Sequence, residues 1–199
     1  MSVTVITYAV LMVRWEPNAR GRLGQAAFEL FLERGFEQVT VAEIAERAGL
    51  TERTFFRYFA DKREVLFAGS EAFQALFVSS VENAPESAPP IDAVAAALYA
   101  QAAQFMEHAA AVRRRQAIIA AHPDLREREL IKLATVAAAV ADALRGRGVT
   151  DPAASLTAEA GLAVFRIAFG SWIAAPDGPD LAQLIADSLD ELRAVTAGK

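Results

Sequence analysis

"TERTFFRYFADK", residues 51–62, sets four aromatic and five charged residues in twelve positions of a 199-residue chain whose formal net charge is −5. Phe55 and Phe59 stand four apart and so share one face of a helix. With Ile44, Leu50 and Leu66 they can form the small core of a three-helix domain. Thr51 occupies an N-cap position, so the helix opens at once. The charged residues and Tyr58 are left facing outward.

Immediately upstream, Thr40 and Glu43 have the spacing of a capping box, Ile44 and Ala45 turn inward, and Gly49 stops a short helix. Two helices of about two turns each, joined at a glycine, have the dimensions of a helix-turn-helix, whose second helix can lie in the DNA major groove. A longer helix precedes them, opening near Pro17 or Asn18 and closing at Gly35. Gly21 and Gly24 weaken its start.

Working outward, apolar residues recur at three and four, as in Leu23, Ala27, Leu30 and Phe31, and past the first dozen residues no run alternates. The fold class is all-α. A helix over 62–81, capped by Asp61, is followed by the loop "NAPESAPP". Further helices are expected over 91–108, through "AAVRRRQAIIAA", and over 123–145, 152–174 and 179–195. Within the next-to-last of these, "LAVFRIAFGSW" is apolar nearly all round, with Leu162, Phe165, Phe169 and Trp172 on one face. Such a helix calls for a partner subunit as well as its own core. Arg166 stands within it, where a buried guanidinium would need a counter-ion across a dimer interface or on a ligand.

Charge is distributed unevenly. Residues 14–62 carry eight basic and eight acidic side chains, leaving twelve against seventeen elsewhere, so the excess acid lies outside this segment. Cysteine is absent, which excludes disulfides, thiolate metal sites and cysteine nucleophiles. The plain reading is a cytoplasmic protein. The apolar run over residues 3–13 is, at roughly 11 residues, short of the ~20 that span a bilayer, and no membrane association is expected. It reads as an extended arm, or as translated sequence ahead of a start at Met12. The domain division expected is an arm over 1–13, a helix-turn-helix domain over 14–62, and a helical ligand-binding and dimerisation domain over 63–199.

No glycine-rich phosphate loop, serine elbow or paired-carboxylate motif is present, so no catalytic residue is assigned and an enzyme is not expected. His108 and His122 are poorly spaced for a metal, and neither metal nor cofactor is expected. Arg113, Arg114 and Arg115 step by ~100° each around a helix. They form a solvated ridge, or one of them meets an acidic ligand.

The stretch "AAFELFLERGFEQVTVAEIAERAGLTERTFFRYFADKREVLF", residues 26–67, resembles the DNA-binding domain of TetR-type transcriptional repressors. The resemblance covers about a fifth of the chain, and the helices that follow suit that family's variable ligand-binding domain. It implies phosphate contacts from Thr40, Thr54, Tyr58 and Lys62, with Thr51 at the start of the recognition helix. Where the family commonly has tyrosine, Phe56 lacks the hydroxyl, leaving apolar contact with sugar or a thymine methyl. Base reading falls to Glu52, Arg53 and Arg57, with Ala42 near the groove. Arginine pairs two acceptors on guanine, and glutamate accepts from cytosine or simply favours its helix N-terminus.

These readings converge on a homodimeric repressor, paired through its last two helices, that binds a palindromic double-stranded operator and leaves it when a small molecule enters the C-terminal domain. Candidate ligand residues are Tyr99, Phe105, Met106, Arg114, Phe165, Phe169 and Trp172. The alternative is a helical ligand-binding or interaction protein that keeps the DNA-binding shape without using it.

Overall fold

The structure, a computed structural model, describes residues 19–198; the expected N-terminal arm lies outside the described residues. Within them all regular structure is helical: α1 (Ala19–Arg34), α2 (Val41–Arg47), α3 (Glu52–Tyr58), α4 (Lys62–Val65), α5 (Ser70–Glu82), α6 (Pro90–Glu107), α7 (Ala109–Ala121), α8 (Pro123–Gly146), α9 (Ala153–Ala174) and α10 (Leu181–Thr196). The chain divides into two compact units, one formed by Met1–Glu71 with Ala110–Arg126, the other by Ala72–Ala109 with Glu127–Lys199.

The first unit is organised around Leu23, Ala27, Leu30 and Phe31 of α1, Ile44 of α2, and Phe55 and Phe59 at α3. Gly35 ends α1 with φ 85°, a backbone conformation that side-chain-bearing residues avoid. Its division differs from a boundary at residue 62, because Val65, Leu66 and Phe67 enter this core, as do Ile119 and Leu125 from the later segment.

A single helix over 62–81 does not form. After α4 the chain turns through residues 66–69 with tighter hydrogen bonds, Leu66 N–H to the Arg63 carbonyl (3.0 Å) and Phe67 N–H to that of Glu64 (3.1 Å). The physical reason is burial of three consecutive residues, Val65, Leu66 and Phe67. Successive positions of a continuous α-helix point ~100° apart and could not all enter one core. Arginines supply donors to the turn: Arg115 Nε to the Leu66 carbonyl (2.7 Å) and Arg20 Nη2 to that of Ala68 (3.2 Å).

In the second unit α9 packs on both α6 and α10. Long and apolar enough to cross a membrane by length and composition, α9 instead buries Ala158, Gly161, Leu162, Val164, Phe165, Ala168 and Trp172. Arg166 is exposed, so the cost expected of a buried guanidinium does not arise within the chain. Arg193 on α10 pairs with Asp92 on α6 at 2.9 Å. The guanidinium of Arg147 holds the loop after α5 by donating to the carbonyls of Ala84 (2.6 Å) and Pro85 (2.7 Å).

Gly161 marks a close approach of α6 and α9, since a Cβ there would overlap Cγ1 of buried Val94. Gly161→Ala is therefore expected to destabilise by about 1–2 kcal/mol, overpacking outweighing the helix-propensity gain. Chemical denaturation checks this. Combined with Val94→Ala, the loss should be smaller than the two single losses added, as expected for neighbours.

Candidate functional site

The α2–α3 element is held by caps at each end. Thr40 Oγ1 accepts from the Glu43 N–H (3.3 Å), and Glu43 Oε2 accepts from both the Thr40 N–H (2.8 Å) and its hydroxyl (2.8 Å). Those bonds, the backbone one foremost, hold the Glu43 carboxyl below the usual carboxylate range. Arg34 Nη1 bonds the other carboxylate oxygen at 2.8 Å. At the far end of α2 the Leu50 N–H reaches the Ala45 carbonyl (2.8 Å) and the Gly49 N–H that of Glu46 (2.9 Å), a Schellman turn closed by Gly49 at φ 64°. Arg22 donates to the Ala48 carbonyl, and Arg47 grips Glu33 through two bonds of 3.1 and 2.9 Å. The turn that aims α3 is thus tied to α1 by two arginines.

On α3, Thr51 Oγ1 accepts from the Thr54 N–H at 3.2 Å. Phe55 is fully buried, and Phe59 follows it into the core. Glu52, Arg53, Phe56, Arg57 and Tyr58 are exposed and Thr54 is half-buried, while Thr40 and Ala42 are exposed at the start of α2. The Arg57 guanidinium stacks 4.8 Å from the Tyr58 ring centre and donates to its hydroxyl at 3.1 Å.

Lys62 is set apart from this outward set. Its ammonium donates to the carbonyls of Phe36 (2.9 Å), Glu37 (3.2 Å) and Val39 (3.1 Å) and lies 4.6 Å from the Phe36 ring centre. A lysine has three N–H donors, and all are used inside the unit, so the outward phosphate contact expected of this side chain is not the one it makes here.

The second unit gathers aromatic rings from three helices. Phe165 stacks on Phe169 (5.5 Å, 17° between planes), and Phe105 lies 6.2 and 5.6 Å from those two rings. Trp172 continues the array 5.8 Å beyond Phe169. Phe73 and Phe77 of α5 complete it, Phe73 lying 5.5 Å from Phe165 and 4.8 Å from Phe77. Sequence reasoning missed this pair, although their spacing of four was a signal. Of the expected ligand residues, Phe105, Phe165, Phe169 and Trp172 come together, and Tyr99, Met106 and Arg114 do not join them. Tyr99 and Met106 lie on the exposed face of α6, and exposed Arg114 belongs to the first unit.

Residues 24–68 match the family described as bacterial regulatory proteins, tetR family, and residues 88–197, more than half the chain, match the MftR C-terminal domain. The chain belongs to the TetR family.

Among curated relatives, it is 40% identical over 83 residues to the HTH-type transcriptional regulator TcmR of Streptomyces glaucescens, covering 42% of this chain and 37% of TcmR. It is 35% identical over 78 residues to the putative mycofactocin biosynthesis transcriptional regulator MftR of Mycobacterium tuberculosis, covering 39% of each. The matched stretch thus spans under two fifths of either relative's length. Among solved structures, Thermus thermophilus FadR, a TetR-family transcriptional repressor in complex with lauroyl-CoA, shares 25% identity at a TM-score of 0.56, covering 86% of this chain and 91% of that one. The SmeT–triclosan complex shares the fold at a TM-score of 0.64 and 21% identity, covering 89% of this chain and 90% of that one. The all-α architecture expected from patterning agrees with the TetR-family structures.

Proposed function

We propose that the protein is a homodimeric DNA-binding transcriptional regulator, a repressor that leaves a palindromic operator when a small molecule binds its helical C-terminal unit, and that it acts in the cytoplasm. The observation that carries this is the division of labour on α3, where Phe55 anchors the helix while Glu52, Arg53, Phe56, Arg57 and Tyr58 face outward. Exposed arginines can read guanine, and hydroxyls beside helix N-termini suit phosphate. In this reading Thr40, Thr51, Thr54 and Tyr58 meet the backbone, Phe56 meets sugar or a thymine methyl, and Ala42 approaches the groove. Lys62 serves by positioning the loop before α2.

Dimerisation through α9 and α10 is supported by large apolar side chains left exposed there, Leu156 and Ile167 on α9 and Val195 on α10. The ligand reading is supported by the aromatic array of α5, α6 and α9, and by the related Thermus repressor, whose structure holds a small molecule, lauroyl-CoA. Release would follow if the ligand prefers an arrangement whose two recognition helices no longer match the operator spacing.

Selection of bound fragments from random or genomic DNA tests the proposal. The expected result is a two-fold symmetric site whose affinity falls steeply with salt. Repeated absence of specific, salt-sensitive binding would favour the alternative that the helix-turn-helix is not used. Arg57→Ala is expected to cost about 1–3 kcal/mol of operator affinity and to relax preference at one base pair. A uniform loss over all sequences would make Arg57 a phosphate contact instead.

A further inference from the structure

Gln101 is 2% exposed on an otherwise apolar stripe of α6, and its Oε1 accepts no hydrogen bond within the chain. A buried acceptor without a donor is costly, and an apolar side chain there would avoid the cost. At ~100° per residue, Val94, Gln101 and Phe105 fall within roughly 40° of one another. Val94 marks where this stripe meets α9 at Gly161, and Phe105 marks it again at Phe165 and Phe169. Gln101 lies between those two points along α6, on the face that meets α9.

His108, the residue that caps α6, adds a second observation. Both ring nitrogens are buried without a hydrogen bond, Nε2 standing 3.7 Å from Glu107 Oε2, too far for one. An acceptor without a donor at Gln101 and a buried imidazole at His108 thus precede and follow Phe105 along the chain. The array is partly open, since Phe73, Phe105 and Phe169 are only half-buried. No basic residue lies on α6 to pair with an anion.

We propose that Gln101 is the specificity residue of the ligand site, its Oε1 accepting a hydrogen bond from an O–H or N–H of an uncharged, mainly aromatic ligand whose body lies on Phe73, Phe105 and Phe169. This rests on reading the aromatic array as that site. A site built around a buried acceptor rejects an analogue that cannot donate, because the acceptor is then left unpaired.

The test compares 4-phenylphenol with 4-methoxybiphenyl, which share a biphenyl body, only the first having a donor. Titration calorimetry on the full-length chain should show the phenol binding tenfold or more tightly, about the weight of one paired buried acceptor. In Gln101→Leu and Gln101→Met the phenol should fall to the level of the ether, with the ether's affinity little changed. The melting temperature of the ligand-free variants should hold or rise, since the unpaired acceptor is gone. Equal binding of the two compounds by the unsubstituted chain, or a phenol preference that survives in both variants, overturns the role of Gln101 and leaves the array reading standing. Binding of neither compound up to its solubility limit, or binding unaltered by Phe105→Ala, overturns the array reading and this proposal with it.

Discussion

Phe55→Ala is expected to remove about 4 kcal/mol of stability from the first unit, the upper range for emptying a phenylalanine site in a packed core. Phe55 is 0% exposed, and its ring lies 5.4 Å from that of Phe59 and 5.5 Å from that of Phe56. It is the side chain by which α3 is fixed to the core shared with α1 and α2. Its loss leaves a cavity beneath a helix of only seven residues, which has little intrinsic stability to fall back on. The adjacent Phe56→Ala makes the same chemical change at a position 55% exposed, and its cost should stay within about 0.5 kcal/mol. Denaturant titration followed by helicity separates the two, and operator binding separates them again. Phe55→Ala should weaken binding to every sequence by depleting the folded domain, whereas Phe56→Ala should act, if at all, on a stably folded protein. Equal stability losses from the two variants would overturn the assignment of one ring to core and the other to surface.

The helix-turn-helix could be read from sequence because its signals are local. Thr40 with Glu43, Gly49, Thr51 and Asp61 each satisfy or terminate backbone hydrogen bonds within a few residues of themselves, and the caps form at those positions. The break between α4 and α5 was not readable in the same way. Its carbonyls at Leu66 and Ala68 take donors from Arg115 and Arg20, separated from them by 49 and 48 residues. Nothing near residue 66 announces an arginine that far along the chain. The same holds for Ile119 and Leu125, which join the first core although residues 72–109, between them and its other members in the chain, belong to the second unit.

The site was unevenly legible for related reasons. Spacing alone turns Phe55 and Phe59 inward and leaves their neighbours on α3 outside. On α6, by contrast, alanines surround the larger side chains, so periodicity could not tell the α9-facing stripe of Gln101 and Phe105 from the exposed face of Tyr99 and Met106. Gly161 resolves the ambiguity once the helices are in place, because α6 can approach closely only where α9 lacks a side chain. Phe73 and Phe77 share a face of any helix that holds both, but their spacing does not say which helices that face meets.

Lys62→Met should cost about 2 kcal/mol, with no change in the salt dependence of DNA binding. After α1 stops at Gly35, the carbonyls of Phe36, Glu37 and Val39 find no partner in a helix ladder, and one ammonium serves all three at 2.9, 3.2 and 3.1 Å. Methionine keeps most of the aliphatic stem and removes every donor. Hydrogen bonds from a charged group each contribute roughly 1.5–3 kcal/mol, but this site is half-buried and water can reach part of it, which brings the sum down. Because the loop leads straight to Thr40 and α2, the damage is expected as lower stability and a uniformly lower operator affinity. Arginine should not rescue, since its planar fork cannot converge on three carbonyls around one point as an ammonium does. A lysine that instead neutralises a phosphate would show a different signature, a slope of log K against log salt reduced by about one with stability intact. Measuring both quantities on the same variant therefore decides between a clamp inside the domain and a contact with DNA.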